Sequence, residues 1–558
     1  MMHTNLPARS QRSWWRDAVT YQIYIRSYAD SNGDGIGDIN GIRSRLSYIK
    51  DLGVDCIWIN PWFQSPQKDH GYDVADYMAI NKDYGTLDDA KALIKEAHAL
   101  GLRIILDLVP NHSSDQHVWF QEALNSEPGS KARDRYIFRD GKGPNGDLPP
   151  NNWEAVFGGP AWERVIEKDG KPGQWYLHLF AVEQPDFNWE NKEVWDHFRQ
   201  IFKFWLDLEF DGFRIDVAHG MWKEKGLPDV DEAELELLDR HYRPYWDQEE
   251  VHEIHRDWRK ITNSYKHDPM LVSEAWAPND QRIAMYVRPD ELHQSFNFSF
   301  LTALWDAKSL KEIIEKSMAE VVKVGAPPSW VWENHDVVRK TDRLDLGLQN
   351  KGKGLEKYGD PKKLNKERAL KRAAAATLLE LALPGGAYIY QGEELGLFEV
   401  RDIPENRLED PIWKMSGHTD RGRDGCRVPL PWTKDSAGAH GFSSDKNLST
   451  SKAWLPQSAG WGERAVDTQQ GVKGSFFEMV KRALHIRKSE PGLGDGEMNW
   501  IEVNDAVIAF ERPGKFACYV NFGPAEVVIP YGSEVLVTSA PLKGEHIPAD
   551  TAVWLRLP

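Results

Sequence analysis

Cysteine is scarce in this sequence: Cys56, Cys426 and Cys518 are the only three. Odd in number and far apart, they support neither a disulfide framework nor a cysteine zinc site, and they suit a reducing compartment. No run of 18 apolar residues occurs, which excludes a spanning helix. The opening MMHTNLPARSQRSWWRD has no apolar stretch of the secretory kind, so the expectation is a cytoplasmic protein. Positive charge is the minority sign, with 69 Lys plus Arg against 86 Asp plus Glu and a formal charge of −17. Such a surface repels phosphate backbones and anionic lipid, so neither nucleic acid nor a membrane is an expected partner. What the chain has in quantity is tryptophan, 24 residues. They fit a large aromatic core, or platforms for sugar faces, which are apolar on one side and hydroxylated at the edge.

Along the chain, short β-branched runs alternate with longer segments of helical period. Strands are predicted at Val19 to Ile25, Asp55 to Asn60, Leu102 to Leu108, Gly212 to Asp216, Met270 to Glu274, His293 to Phe296, Ser329 to Glu333 and Ala387 to Tyr390. Helices are predicted from Ile39 to Leu52, from Leu87 to Leu100 with Thr86 as N-cap and Gly101 beyond the C-terminus, and from Asn191 to Leu208. Eight βα units in one order read as an α/β fold of the parallel (β/α)8 barrel type. Residues 111–186, rich in Gly, Pro, Asn and Trp, break the alternation and read as a domain inserted after strand three. The expected organisation is thus barrel over 1–110, inserted domain over 111–186, barrel again over 187–490 with a long loop after strand eight, and an antiparallel β domain over 491–558. The Lys/Gly-rich stretch Asp342 to Lys366 reads as a mobile loop, and the acids from Asp229 to Asp239 as a solvated helix.

Barrel enzymes place their chemistry at the C-terminal ends of strands. Strand three ends in DLVPNH (Asp107, Asn111, His112), strand four in GFRID (Arg214, Asp216), strand five in SEAW (Glu274) and strand seven in ENHD (His335, Asp336). Arg214 and Asp216 are two apart and share a face of their strand, so the arginine keeps a neighbouring carboxylate ionised. A carboxylate that attacks and a second, protonated carboxyl that feeds the leaving oxygen are what glycoside hydrolysis needs. Taken singly, an Asp after a barrel strand as easily caps the next helix; the ordered set of four is what points to chemistry.

These four segments resemble the principal motifs of the alpha-amylase superfamily, glycoside hydrolase family thirteen, over nearly the whole chain. QPDFN, Gln184 to Asn188, is similar to the QPDLN form that marks its oligo-1,6-glucosidase and alpha-glucosidase branch. The resemblance implies Asp216 as nucleophile, Glu274 as general acid/base and Asp336 as transition-state stabiliser, with His112 and His335 on sugar hydroxyls and Arg214 holding Asp216. KDHGYD places Asp69 on the 4-hydroxyl of a non-reducing glucose with Tyr72 stacked on its ring, and GRDGCR offers Arg423, ahead of Arg427, as the partner of Asp69. An Asp–Arg pair there closes the pocket, so the implied enzyme is a retaining, exo-acting alpha-glucosidase on short gluco-oligosaccharides, able to transfer glucose as well as hydrolyse, and a monomer or homodimer.

In DSNGDGIGD, oxygen donors recur at Asp30, Asn32, Asp34, the Ile36 carbonyl and Asp38, the alternation of a calcium loop; Gly41 stands where an EF-hand has its glutamate. The alternative is an Asx-rich turn without metal. In the resembling branch the loop holds one structural calcium or magnesium ion, and no organic cofactor is implied. His252 and His255 have ligand-like spacing but read as a solvated helix face. Two rival readings share the motifs. Isomerases such as trehalose or isomaltulose synthase use the same covalent intermediate, but here RLDLG, Arg343 to Gly347, stands where sucrose isomerases carry RLDRD. Transporter-associated relatives have a membrane anchor and degraded acids, whereas all three acids are present. Val217 after the nucleophile leans to alpha-1,6 linkages, though the continuation VAHG departs from that branch's text.

Overall fold

The computed structural model describes residues 11–231, 243–348 and 359–558. Eight short strands, β1 (Val19–Ile23), β2 (Cys56–Ile59), β3 (Arg103–Leu108), β4 (Gly212–Ile215), β5 (Met270–Ser273), β6 (Gln294–Ser295), β7 (Ser329–Val331) and β8 (Gly386–Tyr390), form one parallel sheet. Each pairs with its sequence neighbour from β1 to β6, β1 turns back onto β8 through Val19 and Ala387, and β8 pairs with β7. Among the described residues no backbone ladder joins β6 to β7; the Ser329 hydroxyl donates to the Ser295 carbonyl across that seam.

Both faces of these strands are covered, which is why they read as unbroken apolar runs such as CIWI. Alternate residues divide between two cores. Cys56, Trp58, Ile105, Met270, Val272 and Tyr388 fill the barrel, while Ile57, Ile59, Ile104, Leu106, Phe213, Ile215 and Leu271 pack against the helices outside. The period of two then puts Asp107, Arg214, Asp216 and Glu274 on the inner face at the C-terminal ends. The helix Leu87–Ala99 starts at a Thr86/Asp89 capping box. Lys192–Asp207 is capped by Asn191 and buries a stripe of Val194, Phe198, Ile201, Phe202 and Trp205. The helix expected over 39–52 is two, Ile39–Ser44 and Leu46–Leu52, divided at Arg45.

After β3 the chain makes a three-stranded antiparallel sheet from Phe138–Arg139, Trp162–Ile166 and Pro172–Leu177. Its core of Ile137, Trp153, Trp162, Leu177 and Leu179 recruits Tyr245 and Trp246 from the loop after β4. This segment also contains a helix, Val118–Leu124, too short to register as periodicity. At the C-terminus β9 (Val507–Arg512), β10 (Phe516–Asn521), β11 (Glu534–Thr538) and β12 (Thr551–Arg556) form an antiparallel sheet. It docks on the barrel helix Lys366–Ala382, where Trp554 Nε1 donates to the Leu378 carbonyl at 3.0 Å.

Three expectations need correction or fall outside. His252 and His255 are buried, not solvated: the helix Val251–Thr262 turns them inward onto Glu291, with His252 Nδ1 2.7 Å from Glu291 Oε2. The three groups lie within 4.8 Å of one another, close enough for a metal ion. The other carboxylate oxygen, however, is taken by Arg288 and Arg256 at 2.5 and 3.0 Å, whose charges oppose a cation. The predicted loop from Asp342 begins as a helix, Lys340–Leu346, because Arg343 is buried against the Trp332 carbonyl at 2.6 Å and Asp345 binds Arg368. Residues 349–358, and 232–239 of the acidic stretch, lie outside the described residues. No described helix is long and apolar enough to cross a membrane.

Gly212 opens β4 at φ 137°, and a Cβ there would stand 1.9 Å from the Met270 carbonyl oxygen. Gly212→Ala is expected to destabilise the protein by about 2–4 kcal/mol through backbone strain and overpacking, read as a lowered melting temperature; an unchanged melt would show that β4 and β5 separate without cost.

Candidate active site

The site is organised around a buried arginine. Arg214, on the inner face of β4 and lying over the Trp58 ring, contacts Asp107 Oδ1 at 2.9 Å, Asp216 Oδ1 at 2.5 Å and Glu274 Oε2 at 3.0 Å. Burial pushes the Asp107 carboxyl up to about 6 against the pull of Arg214. Burial raises Asp216 too, with Arg214 opposing and Glu274 and Asp107 adding repulsion. Burial and mutual repulsion thus favour the protonated forms of Asp107 and Asp216, and Arg214 opposes both. Val217 follows Asp216 with φ 45°, a left-handed conformation costly for a β-branched residue. Its N–H donates to Glu274 Oε2, 3.0 Å away.

Asp336, after β7, faces a second cationic group. Arg423 and Arg427 reach its Oδ1 at 3.0 and 3.1 Å, and His335 Nε2 lies 3.4 Å from Oδ2. Burial alone would raise this carboxyl, but His335 and the arginines outweigh it and hold it well below the usual carboxylate range. Arg423 also contacts Asp69 Oδ1 at 3.1 Å and is fixed from behind by Asp410, which accepts its Nε–H at 2.7 Å. Asp69 is buried, and burial pushes it up to about 6 despite Arg423 and Arg427. Gln184 links the strand-two and strand-three loops, donating to Asp69 Oδ2 at 3.1 Å and lying 3.1 Å from His112 Nε2. His112 is held neutral by burial, its pKa lowered to about 4. The Tyr72 hydroxyl lies 3.0 Å from Asp107 Oδ2 and 2.8 Å from His335 Nε2, and its ring stacks on that imidazole at 5.4 Å.

The nine sequence-predicted acids, bases and binding residues thus meet at one mouth: Asp69, Tyr72, His112, Asp216, Glu274, His335, Asp336 and Arg423 line a cavity of about 510 Å³, and Arg214 lies just beneath. The predicted metal residues are elsewhere, in the loop between β1 and the helix Ile39–Ser44. There the Asp30 carboxylate accepts from the backbone of Asn32, Gly33 and Gly35, Asp34 from Ile36, and Asp38 from Gly41. Burial, with Asp30 and Asp38 nearby, raises the Asp34 carboxyl, a repulsion that a divalent cation would relieve. The donor set, all oxygen with the Ile36 carbonyl, has the hardness calcium or magnesium requires.

Sequence reading missed Asp410, which nothing in RLEDP distinguishes from its neighbours, and Lys223. The Lys223 ammonium is buried and bonds Asn111 Oδ1 at 2.8 Å and Asp186 Oδ2 at 2.8 Å, tying the inserted segment to the loop after the nucleophile strand. It also missed the aromatic wall. The Trp276 ring stacks on Phe298 at 3.8 Å and 6°, while Phe157, Phe180 and Trp246 face the cavity from the inserted segment and the β4 loop. Trp276 stands two residues beyond Glu274, and its Nε1 lies 3.3 Å from Glu274 Oε1.

Comparison with known proteins agrees with this geometry. A probable alpha-glucosidase of Rhizobium meliloti (strain 1021) is 36% identical over 90% of this chain and 87% of its own length. Oligo-1,6-glucosidase of Parageobacillus thermoglucosidasius is 36% identical over 89% of this chain and 88% of its own. Among solved structures, the alpha-glucosyl transfer enzyme XgtA superposes with a TM-score of 0.83 at 32% identity, covering 98% of this chain and 100% of that one. Trehalulose synthase MutB from Pseudomonas mesoacidophila MX-45 gives 0.83 at 27% over 98% and 100%. The family model for the alpha-amylase catalytic domain matches residues 22–496, and with that barrel and that set of strand-end acids the chain belongs to the alpha-amylase family, glycoside hydrolase family thirteen.

Proposed function

We propose that this enzyme is a retaining, exo-acting alpha-glucosidase that removes glucose from the non-reducing ends of short alpha-linked oligosaccharides. The observation that carries the reading is the contact of Asp216 and Glu274 with one guanidinium. That shared contact supports the close pairing of about 5–5.5 Å that acts by double displacement over the pairing of about 6.5–9.5 Å that admits a water between the carboxyls. Asp216, whose carboxylate form Arg214 favours, attacks C1. Glu274 gives a proton to the leaving oxygen, then takes one from the incoming water as that water displaces Asp216. Asp336 binds ring hydroxyls more tightly as positive charge grows at C1.

The exo reading is supported by the ion group of Asp69, Arg423 and Asp410, whose paired charges would meet a terminal 4-hydroxyl. Arg343 and Asp345, which stand where sucrose isomerases carry their own segment, bind the Trp332 carbonyl and Arg368 and do not line the cavity, which favours hydrolysis over isomerisation. In the β1 loop, Asp30, Asn32, Asp34, Asp38 and the Ile36 carbonyl would hold one hard divalent cation, whose contribution is to the stability of the loop.

The glucose first released should be the alpha anomer, seen by NMR before mutarotation; Asp216→Ala should lower turnover about 10³-fold or more while the fold survives. Beta-glucose as the initial product would end the double-displacement reading. Maltoheptaose should give glucose and maltohexaose first, and Asp69→Ala should raise the barrier by about 2–5 kcal/mol, as loss of one partner of a buried charge pair does. Maltotriose and maltotetraose ahead of glucose would indicate an open cleft. Chelation should lower the melting temperature more than the turnover at moderate temperature, because a cation bound only to the native state stabilises by linkage; immediate loss of activity in a still-folded protein would place the ion in the chemistry instead.

A further inference from the structure

His112 lines the cavity, and what it can do there depends on which ring nitrogen carries hydrogen. The partners that settle this begin behind the cavity wall, at Lys223. An ammonium group can only donate, and this one directs its three hydrogens to Asn111 Oδ1 at 2.8 Å, Asp186 Oδ2 at 2.8 Å and the Gly220 carbonyl. Lys223, Asn111 and Asp186 are all buried, so bulk water does not compete for these contacts.

The amide of Asn111 is thereby fixed. Its oxygen faces the ammonium, and its nitrogen faces Asp186 Oδ2 at 3.0 Å, an oxygen that accepts. The reversed amide would set donor against donor and acceptor against acceptor. Asn111 Nδ2 keeps a second hydrogen, and His112 Nδ1 lies 3.2 Å away. That ring nitrogen therefore accepts, since a hydrogen on it would meet the amide hydrogen head-on. The ring is neutral, because burial lowers its pKa to about 4 and Lys223 opposes a further positive charge. Its one hydrogen is then on Nε2. The far side of the ring agrees, for the Tyr72 carbonyl oxygen, an acceptor, lies 3.2 Å from Nε2. Gln184 Nε2 is 3.1 Å from the same nitrogen, but its amide is committed elsewhere. Gln184 Oε1 accepts the Ala181 N–H at 2.9 Å, and its two amide hydrogens go to Asp69 Oδ2 at 3.1 Å and the Tyr72 carbonyl at 3.3 Å.

We propose that the Lys223–Asp186 ion pair positions the sugar site from behind: through the amide of Asn111 it fixes the tautomer of His112, which meets the substrate as a hydrogen-bond donor from Nε2. The inference rests on the glucosidase reading given above, in which His112 faces a sugar hydroxyl. That hydroxyl is then recognised by its oxygen. Lys223, Asp186 and Asn111 are positioning residues, since none of them lines the cavity and each acts through the next.

The test is nitrogen NMR of the whole enzyme, isotope-labelled in its histidines, with the His112 signals assigned by their loss in His112→Ala. The wild type is expected to show a bare Nδ1 and a hydrogen on Nε2. Asn111→Asp keeps an oxygen for Lys223 but has no hydrogen to give, so Nδ1 is expected to gain one. Lys223→Met combined with Asp186→Asn removes both charges together and frees the amide to turn, and a mixture of the two tautomers is expected. In both variants kcat/KM for 4-nitrophenyl alpha-glucoside should fall about tenfold or more, as loss of a buried hydrogen bond to substrate does. His112→Ala added to either should cost little more. A pair that served only to latch the inserted segment would lower the melting temperature of the double variant and leave the tautomer unmoved, which overturns the proposal. So does a wild-type Nδ1 that carries hydrogen, or an Asn111→Asp Nδ1 that stays bare; these two spectra decide even where the double variant does not fold. Each of these outcomes leaves the glucosidase reading intact. Absence of nitrophenol release from the wild type would instead sink that reading, and with it the sugar-facing role of His112.

Discussion

The guanidinium of Arg214 is the fixed point of this molecule's chemistry. It is buried at the top of the barrel, where an unpaired charge would be untenable, and it is stable there only because Asp107, Asp216 and Glu274 converge on it from three strands. The dependence runs both ways, since without the cation three buried carboxyls could not share that space. The barrel ladder sets where the strands end, the period of two sets which side chains point inward, and the arginine then converts that placement into a defined charge state. The second cationic group, Arg423 with Arg427, does the same for Asp69, Asp336 and Asp410, so the cavity is held between two sets of ions that are satisfied before any sugar arrives.

Much of this was legible in the sequence because the barrel writes itself plainly. Strands buried on both faces cannot alternate with polar residues, so RIILDL and CIWI stand out, and the polar residues at their ends are conspicuous by contrast. The loop-borne acids came from a different source: Asp69 and Arg423 are 354 positions apart, and only resemblance to a family could associate them. What could not be read were environments made by distant segments. His252 and His255 look solvent-facing in a charged helix, yet Glu291, some 40 residues on, buries them. Asp410 has no local mark because its meaning comes from the arginine that folds against it. The backbone of Val217 is likewise invisible in text, since its strained φ is imposed by the turn that delivers its N–H to Glu274.

The open seam in the barrel has a bearing on the shape of the cavity. The closed end of the cavity takes Asp69 from the loop after β2 and Arg423 and Asp410 from the segment after β8, and both strands are laddered on both sides. Phe298, which supports the Trp276 platform, follows β6, the strand whose far edge is tied to β7 by the Ser329 hydroxyl alone among the described contacts of those two strands. The Asp69–Arg423 end is thus held by strands laddered on both sides, while Phe298 after β6 and His335 and Asp336 after β7 stand on either side of the one joint that has no backbone ladder among the described strands. A shift at that joint would change the spacing between Trp276 and Asp336 across the cavity while leaving the Asp69–Arg423 pair in place.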